Sequence, residues 1–142
     1  ALARELGCQV GDEWVQISGL RTLGDDGMPI CLANVYVIPE YGSIAQRLGG
    51  SSRPVYEMIA ETFKESIENI TIRLTAGVLS EQKAAILGVE PGSPSLSVSR
   101  FYQGRGGRIF EASISEHPAS NFSYTFEFTR GRQTADHWSW NN

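Results

Sequence analysis

The chain has little cysteine, little histidine, no basic excess and no long apolar run, and each shortage removes a class of protein. Its two cysteines, Cys8 and Cys31, stand in unrelated contexts without CxxC or Cys/His ligand spacing. That argues against a disulfide framework or a metal site and for free thiols in a reducing compartment. No apolar stretch approaches the roughly 20 residues of a membrane span, and the start, ALARELGCQV, has neither the n-region nor the h-region of a signal peptide. The chain therefore reads as cytoplasmic and not membrane-bound. The lack of an initiator Met reads as a piece cut from a longer protein.

Lysine and arginine number 12 against 16 acidic residues, a net charge of -4. Arg100, Arg105 and Arg108 are scattered among glycines rather than set along a helix, so this chain by itself should not bind nucleic acid. Catalytic signatures are missing too: there is no GxSxG elbow, HExxH, Walker loop or GxGxxG after a strand, and QGRGGR is not followed by the helix that a phosphate loop requires. The reading is a binding domain rather than an enzyme, without cofactor or metal.

What is present is the composition of one globular domain: 142 residues, 41% apolar and 20% charged. EWVQISGLR and ICLANVYVIP flank the turn GDDGMP and predict a hairpin. SIAQRL predicts a short helix. PVYEMIAETFKESI predicts the main one over residues 54–67, with Val55, Ile59, Phe63 and Ile67 on one face and Ser51 or Ser52 as cap. NITIRLTAGV alternates as a strand; SEQKAAILG is a short helix with Ser80 as N-cap and Gly88 as its stop. SLSVSRFYQ and RIFEASISEH form a second hairpin around GRGG, and FSYTFEF a last strand. Strands outnumber helices and hairpins dominate, so the class is α+β. The tail after residue 130, with Trp138 and Trp140, has no periodicity.

One phrase is written twice. A shift of 81 residues sets Leu6 on Leu87, Gly7 on Gly88, Gly11 on Gly92, Val15 on Leu96, Ile17 on Val98 and Leu20 on Phe101. Each copy says short helix, Gly stop, Gly turn, strand, turn, strand. The pattern predicts two pseudo-equivalent hairpins in one antiparallel sheet, with the main helix inserted between them.

Period-two alternation in RIFEASISEH puts Phe110, Ala112 and Ile114 on one face and Glu111, Ser113, Ser115 and His117 on the other. Two readings stand: a wet sheet face, with Glu111 paired to a cross-strand arginine, or a pocket for a small polar or anionic ligand in which Arg100 and Arg21 join these groups. Phe122, Tyr124, Phe126 and Phe128 share a face in the last strand and read as core or dimer interface.

AAILGVEPGSPSLSVSRFYQGRGGRIFEASIS followed by FSYTFEF, together with ISGLRTLGDDGMP and RPVYEMI, resembles the UTRA domain, the effector-binding half of HutC-type regulators of the GntR superfamily. The resemblance runs from about residue 2 to about 128, giving an effector domain over residues 1–130 and a tail over 131–142. It implies a six-stranded antiparallel sheet with flanking helices, chorismate-lyase-like in fold. It also implies a small-molecule pocket, a homodimer, and DNA binding only through an N-terminal winged helix-turn-helix that is not in this sequence. The implied effector contacts fall on Arg21, Tyr56, Glu111 and His117, beside Arg100 and Ser113 from the alternation. His117 stands where sugar-phosphate-sensing members often carry a tyrosine, and Gly19 where they can carry a second arginine. A carboxylate, a sugar or an aromatic acid is thus as compatible as a sugar phosphate. The alternative is an enzyme like chorismate lyase acting on a small carboxylate.

Overall fold

A computed structural model describes residues 2–24, 27–49 and 53–127. Helix α1 (Leu2–Leu6) leads to the hairpin β1 (Val15–Leu23) and β2 (Met28–Val37); a 3-10 segment (Pro39–Arg47) follows. Then come α2 (Val55–Phe63), β3 (Asn69–Val78), α3 (Glu81–Leu87), β4 (Pro94–Gln103) and β5 (Ile109–Pro118), ending in a 3-10 turn (Ala119–Asn121). The strands form one antiparallel sheet in the order β1-β2-β5-β4-β3. The expected class stands. The strand count is five among the described residues, because 122–127 run without regular structure and Phe128 lies outside them, as does the tail from 131 onward.

The written repeat is a structural one. β1-β2 and β4-β5 lie either side of the β2/β5 seam, and the two copies close their helices alike. Gly7 and Gly88 both sit at φ 68°, and Cys8 N–H donates to Ala3 O at 2.9 Å as Val89 N–H does to Ala84 O at 3.0 Å. These are left-handed helix stops that only glycine adopts without strain. No neighbour lies within 4 Å of where a Gly88 Cβ would stand, so the cost of Gly88→Ala is purely conformational. The substitution is expected to cost about 1–2 kcal/mol in urea unfolding; an unchanged midpoint would show that the residue does not hold this conformation.

The sheet is covered on both faces. On the front, α2 and the 3-10 segment bury Val37, Ile38, Ile44, Ile59, Tyr102 and Phe110. On the back, Leu6 of α1 packs with Tyr36, Phe101 and Ala112, and α3 packs Ala84 and Leu87 near Leu32. Two expectations need correction here. Phe110 lies in the front cluster and not with Ala112 and Ile114, because the β4/β5 register slips between Tyr102↔Glu111 and Gln103↔Ile109. That bulge inserts Phe110 and turns it to the side of Glu111. The main helix ends at Phe63 rather than 67, Lys64 being left-handed at φ 56°, and it starts at Val55 after Pro54 with no side-chain cap bond; Ser51 and Ser52 lie outside the described residues.

Candidate functional site

Cross-strand partners share a face, so the ladders fix what stands beside each polar residue of β5. Glu111 lies between Val37 and Tyr102, Ser113 between Val35 and Arg100, and Ser115 between Ala33 and Val98; His117 faces Leu96. Arg21 pairs with Cys31, two residues along β2 from Ala33 and on the same front face. Tyr56, in the first turn of α2, stacks on Tyr102 with centroids 4.6 Å apart and planes at 17°. All six sequence-derived candidates, Arg21, Tyr56, Arg100, Glu111, Ser113 and His117, therefore belong to one face of the sheet. α2 borders the end with Glu111; the floor at the other end is kept low by Gly19 and Ala33.

The electrostatics are unbalanced. Glu111 is 2% exposed, and its Oε2 is buried without a hydrogen-bond partner. Burial alone pushes its carboxyl up to about 8. No arginine among the described residues pairs with it, which removes the cross-strand ion pair considered from the sequence: the ion pairs there are Arg53–Glu61, Lys83–Glu116 and Arg108–Glu40. Among the described residues, Arg21 and Arg100 are left without an acid partner. Both lie near enough to His117 to add to the burial that drives its imidazole down to about 4, and near enough to Cys31 to oppose the burial that raises its thiol. His117 is held neutral, with Nε2 3.1 Å from Ser115 Oγ. Tyr56 and Tyr102 are raised by burial first; Glu111 raises both further and Arg100 lowers both.

Sequence reasoning missed three participants. Tyr102 was legible by period two from Arg100 in SRFYQ. Phe122 and Tyr124, read as core or dimer interface, border this same face: Phe122 stacks on His117 at 3.6 Å and 15°, and the Arg100 guanidinium sits 5.9 Å from the Tyr124 ring centre. Two grooves, of about 520 and 930 Å³, open elsewhere, between α1 and α3 on the back and beside Trp14.

One face of the domain thus gathers a buried carboxyl without a donor, two guanidinium groups without an acid partner among the described residues, and stacked aromatics. Residues 1–123 match the UTRA domain model, and the chain belongs to that family. In fold it is similar to the ligand-binding domain of a GntR-family transcriptional regulator from Bordetella bronchiseptica, at 27% identity and TM-score 0.71, covering 89% of this chain and 81% of that one. It is likewise similar to a GntR-family regulator from Bacillus cereus (20%, TM-score 0.74, 89% and 87% covered). A third likeness is to PhnF from Mycobacterium smegmatis (17%, TM-score 0.73), where it covers 92% of this chain but 56% of the longer protein. No curated protein gives a match.

Proposed function

We propose that this domain senses a small polar or anionic metabolite in a bacterial transcription regulator, using Arg21, Tyr56, Arg100, Glu111, Ser113 and His117 as its contacts. The observation that carries the reading is the unpartnered Glu111 carboxyl in the same site as two acid-free arginines. An uncompensated buried polar group costs stability, and a ligand donor that satisfies it recovers that cost on binding. A ligand with an anionic group for the arginines and a hydroxyl or amine for Glu111 matches the chemistry; a carboxylate, a sugar, a sugar phosphate and an aromatic acid all remain in this class. The domain acts in the cytoplasm as a homodimer, without catalysis or cofactor. Its occupancy reaches DNA only through a winged helix-turn-helix outside this sequence, by favouring one of two dimer geometries. The likeness to a regulator's ligand-binding domain supports this over a lyase-like enzyme.

A thermal-shift screen against those compound classes tests it. A true effector at 100 times its Kd adds about 2.7 kcal/mol, which raises the midpoint by several degrees. Glu111→Gln and Arg100→Ala are each expected to abolish that shift while the unliganded proteins still fold. A shift that survives both changes would place the ligand elsewhere, and no shift from any class would leave the domain a bare dimerisation module.

A further inference from the structure

We propose, on the effector reading above, that residues 119–127 form a strap whose own rings, Phe122 and Tyr124, occupy the effector site, so that an effector binds by displacing them. Access raises the question. Glu111 is 2% exposed, and Arg100, Ser113 and His117 are each at least partly covered. The two grooves described above are lined by none of these four residues. A ligand therefore reaches this row only if something lying over it moves.

The path of the chain identifies that cover. β5 ends at the buried Pro118, paired with Ser95, and the exposed turn Ala119–Asn121 sends the chain back over the front face. Phe122 then lies on His117, ring to ring, at 3.6 Å. Two residues on, Tyr124 reaches farther along the row. Its ring centre is 5.9 Å from the Arg100 guanidinium, and it is near enough to Tyr102 to add to the burial that raises that hydroxyl. The strap thus retraces β5 from the His117 end toward the Glu111 end, and its alternate residues turn their rings to the polar row.

Two covers are candidates to open, Tyr56 and the strap, and they are held differently. Tyr56 belongs to α2, which buries Ile59 completely in the front cluster. The strap has no ladder among the described residues, its turn is exposed, Phe122 and Tyr124 are only half-buried, and Phe126 is 49% exposed. A segment with few buried apolar contacts and no regular pairing opens at the lowest cost. The chemistry points the same way. Tyr124 offers Arg100 a ring face, whereas an anionic ligand offers it charge-assisted hydrogen bonds, which are stronger. The anion therefore wins the guanidinium from Tyr124, and the lifted strap opens Ser113 and His117 to the rest of the ligand.

Thiol labelling of the purified chain tests the strap without any ligand. In a Cys8→Ser background, Ser113→Cys places a thiol beside Arg100, and the same background without it gives the rate of the buried Cys31. Labelling by an anionic disulfide reagent is expected to be slow with the strap intact. It should rise about tenfold when Phe122→Ala or Tyr124→Ala removes one ring, the factor by which losing one such contact shifts a closing equilibrium. Ile86→Ala, exposed on the back, should leave the rate unchanged. Calorimetric titration with benzoate, a small acid that also carries a ring, gives a readout that needs no introduced cysteine. Tyr124→Ala is expected to bind it more tightly than the wild type, the opposite of losing a wall residue, and Arg100→Ala to lose it. Fast labelling of Ser113→Cys under an intact strap, a rate unmoved by both strap variants, or weaker benzoate binding by Tyr124→Ala would each overturn the proposal, the last of these leaving the effector reading in place. Labelling that rises in both variants while none of them binds benzoate would uphold the strap as the cover of this row and count against the effector reading alone.

Discussion

Glu111→Gln is expected to be more stable than the wild type by a few kcal/mol above about pH 8, with the difference vanishing below about pH 4.5. The sign follows from burial. In the unfolded chain this carboxyl ionises near 4.5, but in the folded domain only at about 8, so between those values the folded state holds a proton that the unfolded state has released. Wild-type stability must then fall as pH rises through this window and level off above it. At about 1.4 kcal/mol per pH unit, the window is worth a few kcal/mol. Glutamine cannot ionise, so its curve lacks the decline.

His117 works in the opposite direction: its folded value, about 4, lies below the ordinary 6.5, so its contribution is lost as pH falls through that range. It is common to both proteins and cancels in their difference. Urea unfolding of the pair from pH 5 to about 9 makes the test. A pH-independent gap would mean that the carboxyl is ionised in the fold, with a cation close enough to hold it so. Bound effector should narrow the gap if it supplies the missing donor.

The parts of the fold that were legible are those where a residue type has one local job. Ser80 accepts from Lys83 N–H at the start of α3, Gly88 stops it, and the same stop recurs at Gly7, so the repeat is legible as geometry from residue types alone. The end of α2 was not legible, for a physical reason. Ile67 does pack in the front cluster with Ile59 and Phe63, as its four-residue spacing promised, but it does so after the backbone has left the helix at Lys64. Apolar spacing reports which side chains are buried, and a chain can keep burying them in another conformation. The absence of a strand over 122–127 has the same origin: Phe122, Tyr124 and Phe126 do follow one another ring to ring, 6.5 and 4.7 Å apart, without a ladder to hold them among the described residues.

For the site, alternation along β5 was enough to put Glu111, Ser113 and His117 on one face, the partner strands offered Arg100 and Arg21, and the family resemblance added Tyr56. What alternation cannot give is pairing across the sheet. Arg100 lies opposite Ser113, one row away from Glu111, so a carboxylate and a guanidinium that share a face do not meet. That offset of two residues keeps Glu111 out of a structural ion pair with Arg100, and it depends on the register of β4 against β5.

The same register governs the largest expected loss of stability. Phe110→Ala should cost about 3–5 kcal/mol, the usual range for emptying a buried aromatic site. That is a large part of the 5–15 kcal/mol that holds a typical domain together. Phe110 is 1% exposed and touches the front cluster through Tyr41 and Tyr102, with ring centres 6.2 and 6.5 Å away. It reaches them only because the bulge turns it away from Ala112. A β5 in unbroken alternation would place Phe110 on the back with Ala112 and Phe101, in the smaller cluster. Tyr102 supports Tyr56 by stacking, so the cavity left by Phe110 would also loosen the floor of the proposed effector site. Phe110→Ala should therefore lower both the unfolding midpoint and the effector-induced thermal shift, while Ile114→Ala, a half-buried position on the back face, should lower the midpoint less and leave the ligand response intact. Equal losses from the two variants, with no change in ligand response, would mean that Phe110 does not back the site and that the bulge does not turn it forward.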